Sequence, residues 1–94
     1  MTARWERVAR RAVVRGVVQG VGFRVSTRAQ ALRRGVTGWA RNRADGTVEV
    51  HLEGAPEDVE AVLGWLRTGP RHARVSAVEV NAQPVEGHDG FELG

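Results

Sequence analysis

The feature that most constrains this chain is the glycine-rich stretch RGVVQGVGFR, which runs from Arg15 to Arg24. Glycine weakens the interior of a strand or helix. Three glycines so close together, Gly16, Gly20 and Gly22, therefore indicate a special backbone conformation. The stretch is interpreted as a loop, either a long turn or a main-chain cradle around a ligand. Because it ends on an arginine, the favoured ligand is an anion.

The glycine loop separates a predicted strand from a predicted helix. Residues 8–16 alternate in the manner of a strand. Between residues 24 and 34, Val25, Ala29 and Leu32 recur at the spacing of one helix face, which predicts a helix buried along that stripe. The loop therefore leads into the amino end of a helix.

The dipeptide Asp45-Gly46 predicts a hairpin, because both residues tolerate positive φ. A two-residue turn would place Arg43 opposite Val48. A three-residue loop with Gly46 in the left-handed region would instead place Asn42 opposite Val48. The second register matches the apolar faces of the two strands better, and we prefer it.

The second strand of that hairpin, TVEVHLE, alternates between apolar and polar residues. Its valines and Leu52 are expected to face the core, and Glu49 and His51 the opposite, polar face. None of the three histidines has metal-ligand spacing with another, so no metal site is predicted.

A second helix follows, with Pro56 at its first position and Gly69-Pro70 at its end. Gly64 inside this helix is interpreted as a point of close packing. The expected apolar stripe consists of Val59, Val62, Leu63 and Leu66. A strand over residues 74–82 and a short edge segment, GFELG, complete the chain.

The order of elements is βαββαβ. Two split βαβ units predict an α+β, ferredoxin-like sandwich. Its four-stranded antiparallel sheet would carry both helices on one face, with GFELG as a possible fifth edge strand. Many functions occur on this fold, so function must be argued from a site.

Composition narrows the class of protein. The 94 residues suffice for one domain, 1–94, and contain no cysteine. No apolar run approaches the about 20 residues of a membrane span. The opening residues MTARWERVARR lack the apolar run of a signal peptide. We therefore expect a cytoplasmic protein that binds no membrane, and nothing in the sequence demands more than a monomer.

The net charge of +3 arises from fourteen basic residues, all arginine, and eleven acidic ones. The arginines are spread along the chain and are interpreted as a solvated face. RNA-binding modules with this order of elements stack bases on aromatic residues of the central strands. The predicted strands RRAVVRG and TVEVHLE contain no aromatic residue, so no nucleic-acid partner is predicted.

The loop has two interpretations from its residues alone. Glycines let successive N–H groups converge on an anion, and the start of a helix adds positive potential. Arg24 could then grip phosphate oxygens with two parallel N–H donors. In the alternative, the glycines only relieve strain in a turn and Arg24 lies in solvent. Spacing does not decide between them.

Four segments resemble the acylphosphatase family. GVVQGVGFR (Gly16 to Arg24) matches its pattern G-x-V-Q-G-V-x-F-R, and GWARNRADGTVEV (Gly38 to Val50) resembles its second signature. GPRHARVSAVEV and GFELG resemble two later segments. The resemblance covers nearly the whole chain. The chain departs from the pattern at Arg43 and at its last two residues, Leu93-Gly94.

The resemblance implies hydrolysis of acyl phosphates to carboxylate and inorganic phosphate, without metal or cofactor. Arg24 would bind the phosphate and act in catalysis, and Asn42 would position the attacking water. The phosphate or sulfate site would comprise Val18, Gln19, Gly20, Val21, Gly22, Phe23 and Arg24. We expect Gln19 to shape the loop through its amide and Phe23 to anchor it in the core. A non-catalytic anion-binding domain is the alternative from another class.

Overall fold

The structure, a computed structural model, describes residues 6–94. Residues 1–5 lie outside the described range. They belong to the opening segment that, from its sequence, lacks the apolar run of a signal peptide. Within that range, no helix is long and apolar enough to cross a membrane. The elements are β1 (Val8–Val17), α1 (Phe23–Arg33), β2 (Thr37–Asn42), β3 (Val48–Gly54), α2 (Pro56–Leu66), β4 (Arg74–Gln83) and β5 (Phe91–Leu93).

The strands form one sheet in the order β4-β1-β3-β2-β5. Neighbours are antiparallel except β5, which pairs with β2 in parallel. Both helices contribute to a core with the apolar face of β1 and β3. The predicted ferredoxin-like sandwich is confirmed, and GFELG supplies a fifth edge strand.

The hairpin adopts the preferred register. Asn42 lies opposite Val48. The Arg43 N–H donates to the Thr47 carbonyl at 2.9 Å and closes the loop. Gly46 has a φ of 89°, as the three-residue loop requires. This register places the Asn42 side chain at the end of β2 that adjoins the glycine loop.

Helix α2 buries its predicted stripe of Val59, Val62, Leu63 and Leu66. The expectation of close packing at Gly64 is wrong, because Gly64 is exposed and a Cβ there would meet no atom within 4 Å. The glycine therefore lowers the stability of the helix, and no packing contact offsets this loss.

Gly64→Ala is expected to raise the free energy of unfolding by about 0.5–1 kcal/mol, because alanine loses less backbone entropy in a helix. Urea unfolding followed by circular dichroism measures the change. Gly16→Ala is the matched control and should destabilise, since its Cβ would lie 2.0 Å from the Arg74 carbonyl oxygen. Equal stability of Gly64→Ala and wild type would contradict the prediction.

The predicted stripe of α1 is wrong. Val25 and Leu32 are 55% and 60% exposed, and the buried residues are Phe23, Thr27 and Ala31. The Thr27 hydroxyl donates to the Phe23 carbonyl at 2.8 Å, so a polar side chain is satisfied inside the core. The buried face is the one that carries Phe23. The spacing of apolar residues alone could not identify this face, because it also includes the polar Thr27.

Gly16 belongs to β1, so the loop is shorter than the predicted Gly16–Arg24 stretch. The pairing of β1 with β4 shifts between Arg15 and Gly16, which marks a bulge. Gly16 has a φ of 126°, and any side chain there would collide with β4. This glycine serves the strand pairing and not the loop.

The polar face of β3 is not open to solvent. Glu49 and His51 lie on the face opposite the core, as predicted, but are only 8% and 0% exposed. Residues 84–90, which we call the strap, link the two edge strands β4 and β5 and must cross the sheet. The strap covers His51 and Glu53, which the local sequence pattern could not indicate.

Glu53 fastens the strap to the sheet. Its carboxylate accepts hydrogen bonds from the N–H groups of Glu86 (2.6 Å), Gly87 (2.9 Å) and His88 (3.3 Å). Burial alone would raise the pKa of Glu53. Hydrogen bonds from His51 and the strap outweigh that effect and lower the pKa to about 2. The strap is thus held by a buried carboxylate anion.

Candidate active site

A cleft opens where the loop between β1 and α1 meets the end of β2. Its volume is about 90 Å³, enough for a few water molecules or one small anion. The cleft is lined by Val18, Gly20, Gly22, Phe23, Arg24, Val25 and Asn42. Only Arg24 among these carries a charge, which makes the cleft attractive to anions.

The loop backbone prepares the start of α1 for a ligand. Gly20 and Gly22 have φ values of 76° and 75°, which side chains rarely adopt. Gly22 is the residue that precedes the helix, and no side chain of the described residues 6–94 caps it. The first N–H groups of the helix therefore have no side-chain acceptor, and the helix dipole concentrates positive potential there.

Phe23 anchors this loop, as predicted. It is 2% exposed, and its ring lies 5.7 Å from that of Trp65 on α2. A Cβ at Gly69 would lie 2.6 Å from the Phe23 ring, so the turn after α2 also closes tightly over it. The loop conformation is thereby coupled to the core.

Arg24 lies in the first turn of α1 and is held from its far end. One terminal nitrogen, Nη1, donates to the main-chain oxygen of Gly94. Gly94 is itself fixed, because its N–H donates to the Ala40 carbonyl on β2 at 2.9 Å. A guanidinium has five N–H donors, so this contact orients Arg24 and leaves other donors for a ligand.

Gln19 connects the loop to the hairpin that carries Asn42. Its amide Nε2 donates to the carbonyl oxygens of Arg43 at 2.8 Å and Thr47 at 3.0 Å. The expectation that Gln19 shapes the loop is confirmed. The bridge fixes the distance between the glycine loop and the end of β2, where the exposed Asn42 lies.

The structure brings together most of the residues that the sequence predicted for the site. Val18, Gly20, Gly22, Phe23, Arg24 and Asn42 line the cleft, whereas Gln19 and Val21 do not. The sequence missed Val25, which was assigned to the core and instead lies at the cleft. Its position directly after Arg24 was the one available signal.

The family model for acylphosphatase matches residues 10–93. The chain belongs to the acylphosphatase family. An acylphosphatase from Pseudomonas paraeruginosa is 55% identical over 85 residues, which cover 90% of this chain and 93% of that relative. Like its relatives in the family, the chain is an enzyme that hydrolyses acyl phosphates.

Solved structures agree with this assignment. An acylphosphatase from Coxiella burnetii superposes with a TM-score of 0.90 at 34% identity, over 94% of this chain and 93% of that one. T. kodakarensis HypF superposes with a TM-score of 0.78 at 35% identity, over 92% of this chain but 12% of that one. The acylphosphatase fold therefore also occurs as a small part of a larger protein.

Proposed function

We propose that Arg24 and the loop N–H groups bind the phosphoryl group of an acyl phosphate while Asn42 positions the attacking water. The observation that carries the proposal is the convergence of Arg24, Asn42 and an uncapped helix start on one small cleft. The guanidinium and the amides supply positive charge. The Asn42 amide can accept a hydrogen bond from water and donate one to the phosphoryl oxygens.

The proposed reaction needs little from the protein beyond positioning. Water attacks phosphorus, the bond from phosphorus to the acyl oxygen breaks, and the carboxylate leaves with the bonding electrons. The water proton passes to the substrate, since none of the described residues that line the cleft is a histidine or a carboxylate. Phosphoryl transfer depends mainly on alignment and charge stabilisation, which Arg24, Asn42 and the loop supply without a metal ion.

Val25 gives the cleft an apolar side. It is 55% exposed at the start of α1 and lies next to Arg24. We place the acyl group of the substrate against this side chain, outside the polar part of the cleft. The phosphoryl group then determines binding, and the acyl group contributes a weaker apolar contact.

Inorganic phosphate and sulfate are expected to inhibit competitively, because both present the tetrahedral anion that the loop is proposed to bind. Titration with phosphate should shift the backbone amide resonances of residues 18–23. The strap, on the opposite face of the sheet, provides internal control resonances. Shifts in the strap with none in residues 18–23 would place the anion elsewhere.

Hydrolysis of benzoyl phosphate is expected to continue at an unchanged rate in excess chelator. The anhydride is already activated, and its carboxylate is a good leaving group, so no Lewis acid is required. The measurement compares the initial rates of chelator-treated and untreated protein. Activity that disappears with chelator and returns with magnesium or zinc would overturn the proposed mechanism.

A further inference from the structure

A second cluster of reactive side chains lies where the strap packs on β3. His51 and Glu53 project from β3, and Glu86 and His88 belong to the strap. Each residue offers one nitrogen or oxygen atom, and these four atoms lie within 4.8 Å of one another. Nothing in acyl phosphate hydrolysis uses this cluster. We propose that it binds one divalent transition-metal ion, and that Zn²⁺ is the ion that fits its ligands best.

The donor types fit such an ion, and one of the donor spacings already does. Imidazole nitrogen and carboxylate oxygen are common Zn²⁺ ligands, with bonds of about 2.0–2.2 Å. Four such bonds in a tetrahedron place the ligand atoms roughly 3.3–3.5 Å apart. The distance from His51 Nε2 to Glu86 Oε1 is 3.4 Å and already matches.

Two further spacings are short because hydrogen bonds now join the groups. His51 Nε2 lies 2.7 Å from Glu53 Oε2, and His88 Nε2 lies 2.8 Å from Glu86 Oε1. Each pair is joined by one hydrogen bond. A cation that takes the place of these two hydrogen bonds requires each pair to separate by roughly half an ångström to reach tetrahedral spacing. The cation would balance the charge of the two carboxylates.

The buried half of the cluster is held in place. The His51 ring is 0% exposed, stacks on Trp39 at 5.8 Å and meets the edge of His88 at 5.2 Å. The Glu53 carboxylate is fixed by its hydrogen bonds from the strap. Glu86 and His88 have side chains 48% and 32% exposed, so an ion can enter between them. Fixed inner ligands and accessible outer ligands suit metal uptake.

Arg11 determines which proton must move. Its Nη2 lies 3.5 Å from His51 Nδ1, so in the metal-free protein Nδ1 accepts and Nε2 carries the ring proton. Coordination through Nε2 transfers that proton to Nδ1. The Arg11 contact is long, and Nη1 is held separately by Glu49 at 3.2 Å. A small rotation of the guanidinium therefore accommodates the new proton.

The cluster is separate from the active cleft. Asn42 pairs with Val48 at one end of β3, and Glu53 lies five residues further along, or about 17 Å of extended strand. The cluster also faces away from the helices. An ion there would join β3 to the strap that leads into β5. We therefore expect metal to stabilise the fold and to leave kcat unchanged.

The test uses protein freed of metal with chelator and then dialysed. Calorimetry should show one equivalent of Zn²⁺ bound, and the thermal midpoint should rise with the Zn²⁺ concentration. Co²⁺ should give the visible absorption of a tetrahedral complex. His88→Gln and Glu86→Gln remove exposed ligands and should weaken binding by at least about 10- to 100-fold. His72→Gln is the matched control, because His72 lies outside the cluster, and should bind as wild type does.

The rate of acyl phosphate hydrolysis verifies that each variant is folded. His51→Gln is avoided as the main test because its buried ring could be needed for folding. The proposal fails if wild type shows no saturable binding of Zn²⁺ or Co²⁺. It also fails if His88→Gln and Glu86→Gln, with normal activity, bind as tightly as wild type. Weakened binding by His72→Gln would place the metal at another histidine.

Discussion

Arg24→Ala is expected to abolish both phosphate binding and catalysis. Among the described residues, Arg24 is the one charged side chain that lines the cleft, so the bound phosphoryl group would lose its main counter-charge. An arginine that stabilises a phosphoryl transition state contributes on the order of 10³–10⁵ in rate. Steady-state hydrolysis of benzoyl phosphate and titration with inorganic phosphate measure the two losses separately.

Two further variants make this expectation specific. Arg24→Lys should recover little activity, because a single ammonium cannot make a two-pronged contact with phosphate or the same contact with Gly94. Arg28→Ala removes an equal charge from the same helix, one turn on, at a residue that does not line the cleft. It should remain active. Tight phosphate binding by Arg24→Ala would refute the assigned role.

The features predicted correctly from sequence depend on short-range physics. The hairpin register followed from Asp45-Gly46 and the apolar faces of its two strands, and the structure confirms Asn42 opposite Val48. Helix α2 followed from Pro56 and an unambiguous stripe. In each case, neighbouring residues contain the information, because turn geometry and side-chain period act within a few positions.

The two errors have different sources, one local and one distant. The α1 stripe failed because Phe23, outside the predicted helix, sets its buried face and Thr27 satisfies its own hydroxyl within the helix. The burial of His51 depends on the strap, which lies more than thirty residues away in the sequence. The hydrogen bonds from the strap to the neighbouring Glu53 carboxylate show that the strap packs on this part of β3. No alternation within β3 could indicate that a loop covers its polar face.

The site lies between these two cases. Arg24 and Asn42 belong to different signatures and are ordinary polar residues when each is considered alone. The two signatures resemble segments of one family, and that resemblance assigned both residues to one site. The Gln19 bridge between loop and hairpin supplies a physical reason for their proximity. Gly16 belongs to the same signature as Arg24, but its role is structural, because it lies at the bulge against β4.

Asn42→Ala is expected to lower kcat by on the order of 10²–10³, the usual loss for one preorganised donor in an active site. Phosphate affinity should stay near the wild-type value, because Arg24 and the loop amides provide the charge that holds the anion. The variant should remain folded, since Asn42 is exposed at the end of β2. Inhibition by phosphate and the kcat for benzoyl phosphate are measured on the same protein.

Asn42→Asp separates a positioning amide from a general base. A carboxylate would accept the water proton but repel the phosphoryl group, so we expect weaker phosphate binding together with low kcat. Asn81→Ala, on the exposed edge strand β4, loses the same amide outside the cleft and should behave as wild type. Activity in Asn42→Asp that equals wild type would mean that base catalysis suffices. Loss of phosphate binding in Asn42→Ala, with binding retained in Arg24→Ala, would reverse the two assigned roles.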